Sequence, residues 1–381
     1  MHAAKIVCSL WFVIYCCIVM KNKKLFRETL MKWHRKENKR EMPWKGEKDP
    51  YKVWLSEIIL QQTRVEQGWS YYEKFVKKYT TVTQLANAKD EEVFKLWEGL
   101  GYYTRCKNLL YSARFIEEKY AGEFPSDYNS ILKLKGVGCY TASAIASFCF
   151  NLPHAVVDGN VLRVLSRYFG IDIPVDTTEG KHYFAQLANI CLDKNKPGEY
   201  NQSIMDFGAT VCKPVPLCEI CPLKITCIAF NKNKIDVLPV KLKKPAKKER
   251  WFSYFIFHHN KKKFVHQRTA KDIWQNLHEF YLVETTSDPE WNKQRIKKYL
   301  LTELSIKDFI GLSIIKAKPQ TLTHQQLFGY FIIVELTTEP EFLKNIPGEW
   351  LSQNEIKSKA FPRFIHQYLS AKTALSQVLL F

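Results

Sequence analysis

The sequence predicts a mainly α-helical domain carrying a glycine hairpin and a four-cysteine loop, followed by an α+β domain. Three observations predict it. From Leu25 to about Phe230 apolar residues recur at three- and four-residue spacings, the helical period, with few alternating runs. Cys212, Cys218, Cys221 and Cys227 crowd into sixteen positions. After Phe230 the pattern changes to a basic stretch and then to alternating aromatic and aliphatic runs.

The length of 381 residues favours two domains over one core. Hydrophobic content of 46% with 25% charged residues excludes a disordered chain. The 57 Lys and Arg against 38 Asp and Glu leave a net charge of +19, which points to a polyanionic partner, nucleic acid before membrane surface. The eleven cysteines lack the even spread of a disulfide framework, so a reducing, intracellular setting is expected, the cytoplasm beside the nucleoid. The apolar run Ile6–Met20 is shorter than the ~18 residues of a membrane span. Residues 1–20 read as an apolar extension, with a true start at Met20 and residues 1–19 upstream of it or dispensable; a signal-peptide core or a membrane tether is the alternative.

The helical part spans residues 21–232. Within it Trp54-Leu55-Ser56-Glu57-Ile58-Ile59-Leu60 sets a carboxylate in a strongly apolar helix. A desolvated carboxyl keeps its proton to higher pH, as a general acid requires, whereas a Glu on a solvent face would not. Leu100-Gly101-Tyr102-Tyr103-Thr104-Arg105 reads as a glycine turn entering a helix with two exposed aromatics, suited to stacking on bases or to packing on a neighbouring helix. In Ile131–Leu165 two helical patterns flank Gly136-Val137-Gly138, whose backbone N–H groups can approach a phosphate. Asp158-Gly159-Asn160 then precedes a helical run, which makes Asp158 an N-cap, the ordinary use of that residue.

The spacing Cys212-x5-Cys218-x2-Cys221-x5-Cys227 supplies four thiolates for one metal centre. A zinc ribbon offers two CxxC knuckles and this loop has one, so an iron–sulfur cluster is favoured over zinc. Residues 233–250 form a basic linker: Lys241–Arg250 carries six basic side chains against one acid. In residues 251–381 the runs Trp251–Phe257, Phe280–Val283 and Tyr330–Leu336 read as strands, with helix-like segments around Trp291–Leu304 and Asp308.

Taken together, PWKGEKDPYKVWLSEIILQQTRV, LGYYTR, LKGVGCYTA, VVDGNVLRV and the cysteine loop resemble the adenine DNA glycosylases of the helix–hairpin–helix superfamily, over about residues 25–381. The resemblance implies a helix–hairpin–helix glycosylase domain with a 4Fe–4S cluster on Cys212, Cys218, Cys221 and Cys227, and a Nudix-like α+β domain that checks the lesion. It implies removal of adenine mispaired with 8-oxoguanine or guanine in double-stranded DNA, by a monomer. Glu57 would protonate adenine at N7, and Asp158 would face the sugar as a carboxylate. Tyr140 and Asn160 would hold that carboxylate and the sugar. Gln62 and Tyr102 correspond to residues that fill or wedge the duplex after base flipping, and Gly136 and Gly138 to phosphate contacts.

Lyase relatives place a Schiff-base lysine where Tyr140 stands, so a monofunctional glycosylase is implied. Thr323 and His324 fall where the family reads the oxidised guanine, but Leu322 replaces the usual phenylalanine. The acidic box that binds magnesium in Nudix hydrolases is absent, so this domain is expected to recognise rather than cleave. Two further departures are Lys135 before the hairpin glycines, where proline is frequent, and a loop one residue shorter between Cys212 and Cys218. The competing classes are a catalytically silent lesion-binding protein, which has no use for both Glu57 and Asp158, and a zinc-dependent DNA-binding protein.

Overall fold

A computed structural model describes residues 22–242 and 247–375, backbone only for 371–375. The apolar run at residues 6–20 lies outside the described residues. The chain divides into two compact units: one runs to Asn87 and resumes over Asn108–Lys243, and the other comprises Ala88–Lys107 and Lys244–Phe381.

The described helices of the first part are α1 (22–36), α2 (Pro50–Leu60), α3 (Val65–Lys78), α4 (Val82–Ala86), α5 (Asp90–Trp97), α6 (Tyr103–Tyr120), α7 (Tyr128–Leu132), α8 (Cys139–Phe150), α9 (Gly159–Phe169), α10 (Thr178–Cys191), α11 (Pro197–Thr210) and α12 (Ile228–Asn231). Helix α5 and the start of α6 belong to the second unit. Helix α2 starts where Pro50 follows an Asp49 whose side chain accepts from the Tyr51 N–H, a cap that satisfies one of the free donors of the first turn. It is apolar on nearly every side and is accordingly buried over Tyr51 and Val53–Ile59. Helix α8 packs on α2 and α11, and Gly198 at the start of α11 lets its backbone come close to Ser147 and Phe148 of α8.

One core of the first unit gathers Phe26 and Leu30 of α1, Val161, Leu165 and Phe169 of α9, Phe184 of α10, and Ile204 and Phe207 of α11. Cys212, Cys221 and Cys227 pack against it. The segment after α12 also lies on this unit: Arg167 donates to the Leu238 carbonyl at 3.0 Å, and the Val175 N–H donates to the Val240 carbonyl at 3.0 Å.

In the second unit the strands are β1 (Lys248–His259), β2 (Lys262–Gln267), β3 (His278–Glu279), β4 (Tyr281–Thr285), β5 (Phe309–Lys316), β6 (Gln320–Thr321), β7 (Gln325–Leu336) and β8 (Gly348–Leu351). They form a mixed sheet in the order β3-β2-β1-β7-β5, with β4 on β1, β6 on β7 and β8 on β2. The central pair β1 and β7 is parallel, with Tyr254 opposite Phe331. Alternation decides the faces: Phe255 and Phe257 meet Ile296 and Leu300 of α13 (Lys293–Thr302). Phe252 and Tyr254 turn the other way, against Phe364 of the C-terminal helix Arg363–Leu375. The helix-like reading around Asp308 is corrected: residues from Phe309 onward form strand β5, which pairs with β7 at the end of the strand order.

Candidate active site

Four of the residues expected to act on the base and sugar line one cavity of about 410 Å³ in the first unit: Glu57, Tyr140, Asp158 and Asn160. Glu57 sits on α2 and is 6% exposed, so the solvent-face alternative does not hold. Burial raises its carboxyl from the ordinary 4.5 to about 7, and the charge of Asp158 adds to this; a hydrogen bond from the Tyr140 hydroxyl works against it. Tyr140, in the first turn of α8, has its own hydroxyl pushed well above the usual range, chiefly by burial and then by Glu57 and Asp158, so it stays a neutral donor.

Asp158 does cap α9: its Oδ1 accepts from the Val161 N–H at 2.7 Å. The Asn160 amide donates to the other oxygen, Oδ2, at 2.9 Å. Burial raises the Asp158 carboxyl, and these two donors, with the Arg163 charge, draw it back towards the ionised form. The two carboxyls therefore differ in kind. Glu57 is a desolvated acid that holds a proton near neutrality, while Asp158 is a capped group surrounded by donors.

Asn160 is itself fixed. Its Oδ1 accepts from Arg163 Nη2 at 2.8 Å. Arg163 also donates to the carbonyls of Gly208, at 2.7 Å, and Cys212, at 2.8 Å. A Cβ on Gly208 would come within 2.7 Å of the Asn160 Cβ, so only glycine lets α11 pass this close to the start of α9.

The hairpin lies against the C-terminal end of α2. Gln61 donates to the Gly136 carbonyl at 3.1 Å, and Ser112 donates to the Lys135 carbonyl at 3.0 Å. Gly136 has φ +84, a left-handed conformation that favours glycine, and a Cβ there would meet Asn108 at 2.9 Å. Gly138 caps α8 with open space about its Cα, leaving the helix N-terminus accessible. Gln62 is exposed with φ 56, in the turn that ends α2, and does not line the cavity.

Tyr102 belongs to the second unit and is 44% exposed, with φ 50. Its hydroxyl is hydrogen-bonded to that of Thr323, which brings two of the expected DNA contacts together. The sequence reading of two exposed tyrosines is corrected to one: Tyr103 is 5% exposed and stacks on Phe94. His324 is exposed, and its carbonyl accepts from the Lys248 N–H at 2.9 Å.

Cys212, Cys218, Cys221 and Cys227 lie within electrostatic reach of one another. Arg167, 4% exposed, laces their loop by donating to the carbonyls of Lys213 at 2.7 Å and Pro214 at 2.9 Å, and it approaches Cys212 Sγ at 3.7 Å. Four neighbouring thiols with a buried guanidinium beside them have the donor chemistry that an iron–thiolate cluster uses. Among the described residues no group of three His, Cys, Asp or Glu side chains is placed to hold a single metal ion. Nor is any described helix long and apolar enough to cross a membrane.

Sequence reasoning missed the polar wall of the cavity: His34, Arg40, Lys45 and Gln202 line it. Behind it stands Asp206, in an apolar stretch of α11 (Ile204, Met205, Phe207) that carries the same signal as Glu57.

The HhH-GPD superfamily base excision DNA repair family matches residues 55–185, and the NUDIX domain matches residues 253–371. The adenine DNA glycosylase of Buchnera aphidicola subsp. Schizaphis graminum is 33% identical over 356 residues, covering 91% of this chain and 98% of its own. The human adenine DNA glycosylase is 41% identical over 223 residues, 56% of this chain and 41% of that protein. A solved thermostable thymine-DNA glycosylase superposes with a TM-score of 0.52 at 30% identity, over 56% of this chain and 98% of that one. With an HhH-GPD domain, a Nudix-like domain after it and a relative matched over nearly its whole length, the chain belongs to the adenine DNA glycosylase family of base excision repair enzymes.

Proposed function

We propose that the enzyme hydrolyses the N-glycosidic bond of adenine mispaired with 8-oxoguanine or guanine, as a monofunctional glycosylase that leaves an abasic site. The observation that carries this is the unlike pair on one cavity: Glu57 with its carboxyl near 7 and Asp158 held by the Val161 N–H and the Asn160 amide.

In this reading the Glu57 acid gives its proton to adenine N7, and the electron pair of the C1′–N9 bond leaves with the base. The positive charge left on the sugar is met by the Asp158 carboxylate, by electrostatic attraction or a transient C1′–O bond. Water then adds to C1′ and releases a proton, which restores the enzyme. Tyr140 donates to Glu57 and Asn160 orients Asp158, so both position the acid and the carboxylate. The cavity-lining Tyr140 hydroxyl cannot form a Schiff base, which favours hydrolysis without strand cleavage.

Binding to DNA is assigned to Gly136 and Gly138 for the phosphate, Gln62 and Tyr102 for the duplex around the flipped base, and Thr323 and His324 for the oxidised guanine. Cys212, Cys218, Cys221 and Cys227 would hold a 4Fe–4S cluster. When bound, the cluster braces the loop from Cys212 to Cys227. Burial raises the Cys212, Cys221 and Cys227 thiols above the usual range, Arg167 and nearby backbone N–H groups draw them partly back, and a bound cation would favour the thiolates further. The remaining assignments are a monomer acting in the cytoplasm, and separate roles for residues 21–232, the linker 233–250 and the lesion-checking 251–381.

The test is a duplex with one adenine opposite 8-oxoguanine. The expected result is strand breakage only after alkali, with no covalent adduct on borohydride treatment. A stoichiometric trapped adduct would contradict the monofunctional assignment.

A further inference from the structure

Helix α11 carries a carboxylate that the reaction above does not use. Asp206 is 0% exposed. Its Oδ1 accepts from Arg40 Nη1 at 2.9 Å and Gln202 Nε2 at 3.0 Å. Its Oδ2 accepts from Asn38 Nδ2 at 2.8 Å and pairs with Lys45 Nζ at 3.3 Å. Lys45 also donates to the Arg40 carbonyl at 2.7 Å, which ties the two cations to each other. Four partners occupy the acceptor sites of one carboxylate, so the enclosed charge is fully compensated.

Three of the four, Arg40, Lys45 and Gln202, line the cavity that holds Glu57 and Asp158. They come from separate segments, the stretch before α2 and helix α11. The bond to Gln202 also settles the orientation of its amide: with Nε2 spent on Asp206, Oε1 is the end left to accept. Arg40 uses one of its five guanidinium donors on Asp206, so others are left. The Gln202 amide oxygen is thereby set on the same cavity as the Arg40 and Lys45 cations, an acceptor beside cationic donors. That is the complement of a base edge with an exocyclic amino group next to ring nitrogens.

We propose that Asp206 is a positioning residue for base recognition, fixing Arg40, Lys45 and Gln202 so that the cavity prefers a base bearing an exocyclic amino donor. The proposal rests on the reading that this cavity receives the flipped adenine.

Single-turnover release is measured on the full chain with duplexes carrying either adenine or unsubstituted purine opposite 8-oxoguanine. Asp206→Asn is expected to lower the adenine-to-purine rate ratio by about tenfold or more, because the amide cannot anchor two cations and the Gln202 amide becomes free to turn. Gln202→Leu, which leaves the Asp206 ion pairs in place, is expected to lower the same ratio. It carries the test alone if Asp206→Asn fails to fold by thermal unfolding. Equal loss of both rates with an unchanged ratio in the folded variants would overturn the proposal and leave Asp206 a structural anion. A wild-type enzyme that released neither base would instead overturn the reading of the cavity, and the proposal with it.

Discussion

Arg163 donates to Asn160 at 2.8 Å while its Nε donates to the carbonyl of Cys212, also at 2.8 Å. Since Asn160 donates to Asp158, three links join the Asp158 carboxylate to the first residue of the cysteine loop. Disturbing either end of this chain should move the carboxylate. Arg163→Gln is expected to slow adenine release by about a hundredfold, the usual penalty for misplacing a reacting group by an ångström, and to lower iron content as well. Asn160→Ala should slow release with iron content unchanged. Equal iron loss in both variants, by metal analysis of purified protein, would contradict the order of the links.

The raised Glu57 carboxyl ties both stability and activity to pH. Because its folded value is raised from 4.5 to about 7, its contribution to stability is fully present below pH 4.5 and is lost as pH rises through 7. The ionised folded state then costs on the order of 3 kcal/mol, taking about 1.4 kcal/mol per pH unit. Glu57→Gln is therefore expected to unfold at a higher temperature than wild type at pH 8, with the gap closing at pH 5. For activity the sign is the same: release under single-turnover conditions should fall as pH rises through about 7.

The hairpin gives a third expectation. Gly136→Ala must hold an alanine at φ +84 with Asn108 only 2.9 Å from the new Cβ. The strain is about 1–2 kcal/mol, and either the turn relaxes or the fold loses that stability. Affinity for undamaged duplex should drop, by fluorescence anisotropy, while Gly138→Ala, with nothing near its Cβ, should bind more nearly as wild type.

Removing iron tests the cysteine loop. Cys218→Ser is expected to yield protein with little iron and weak DNA binding, and a colourless protein carrying zinc would contradict the cluster assignment. Arg167, which holds Lys213 and Pro214, keeps part of the loop in place when the metal is gone, so secondary structure by circular dichroism should change little.

Much of this was legible in the residues because the signals were local. Glu57 stood out as a charge inside an apolar helix, Asp158 as a cap before a helical run, and the cysteines by spacing. What escaped was set by tertiary contact. Asp206 carries the same local signal as Glu57, yet its meaning lies in Asn38, Arg40 and Lys45, more than 160 positions away in the chain. Tyr102 and Tyr103 are neighbours with identical side chains, and only packing on Phe94 makes one buried and one exposed. Strand β5 was misread around Asp308 because its irregular register and partly exposed residues blur the two-residue alternation of a strand.

The central claim is that Glu57 supplies the proton and Asp158 meets the charge. The most direct measurement is the single-turnover rate of adenine release from a duplex with adenine opposite 8-oxoguanine, at pH 7, for wild type, Glu57→Gln and Asp158→Asn. The account predicts an abasic product from wild type and a rate lower by about three orders of magnitude or more in each folded variant, on the scale of losing an essential acid or charge. Release at the wild-type rate by Glu57→Gln, or none by intact wild-type protein, would contradict it.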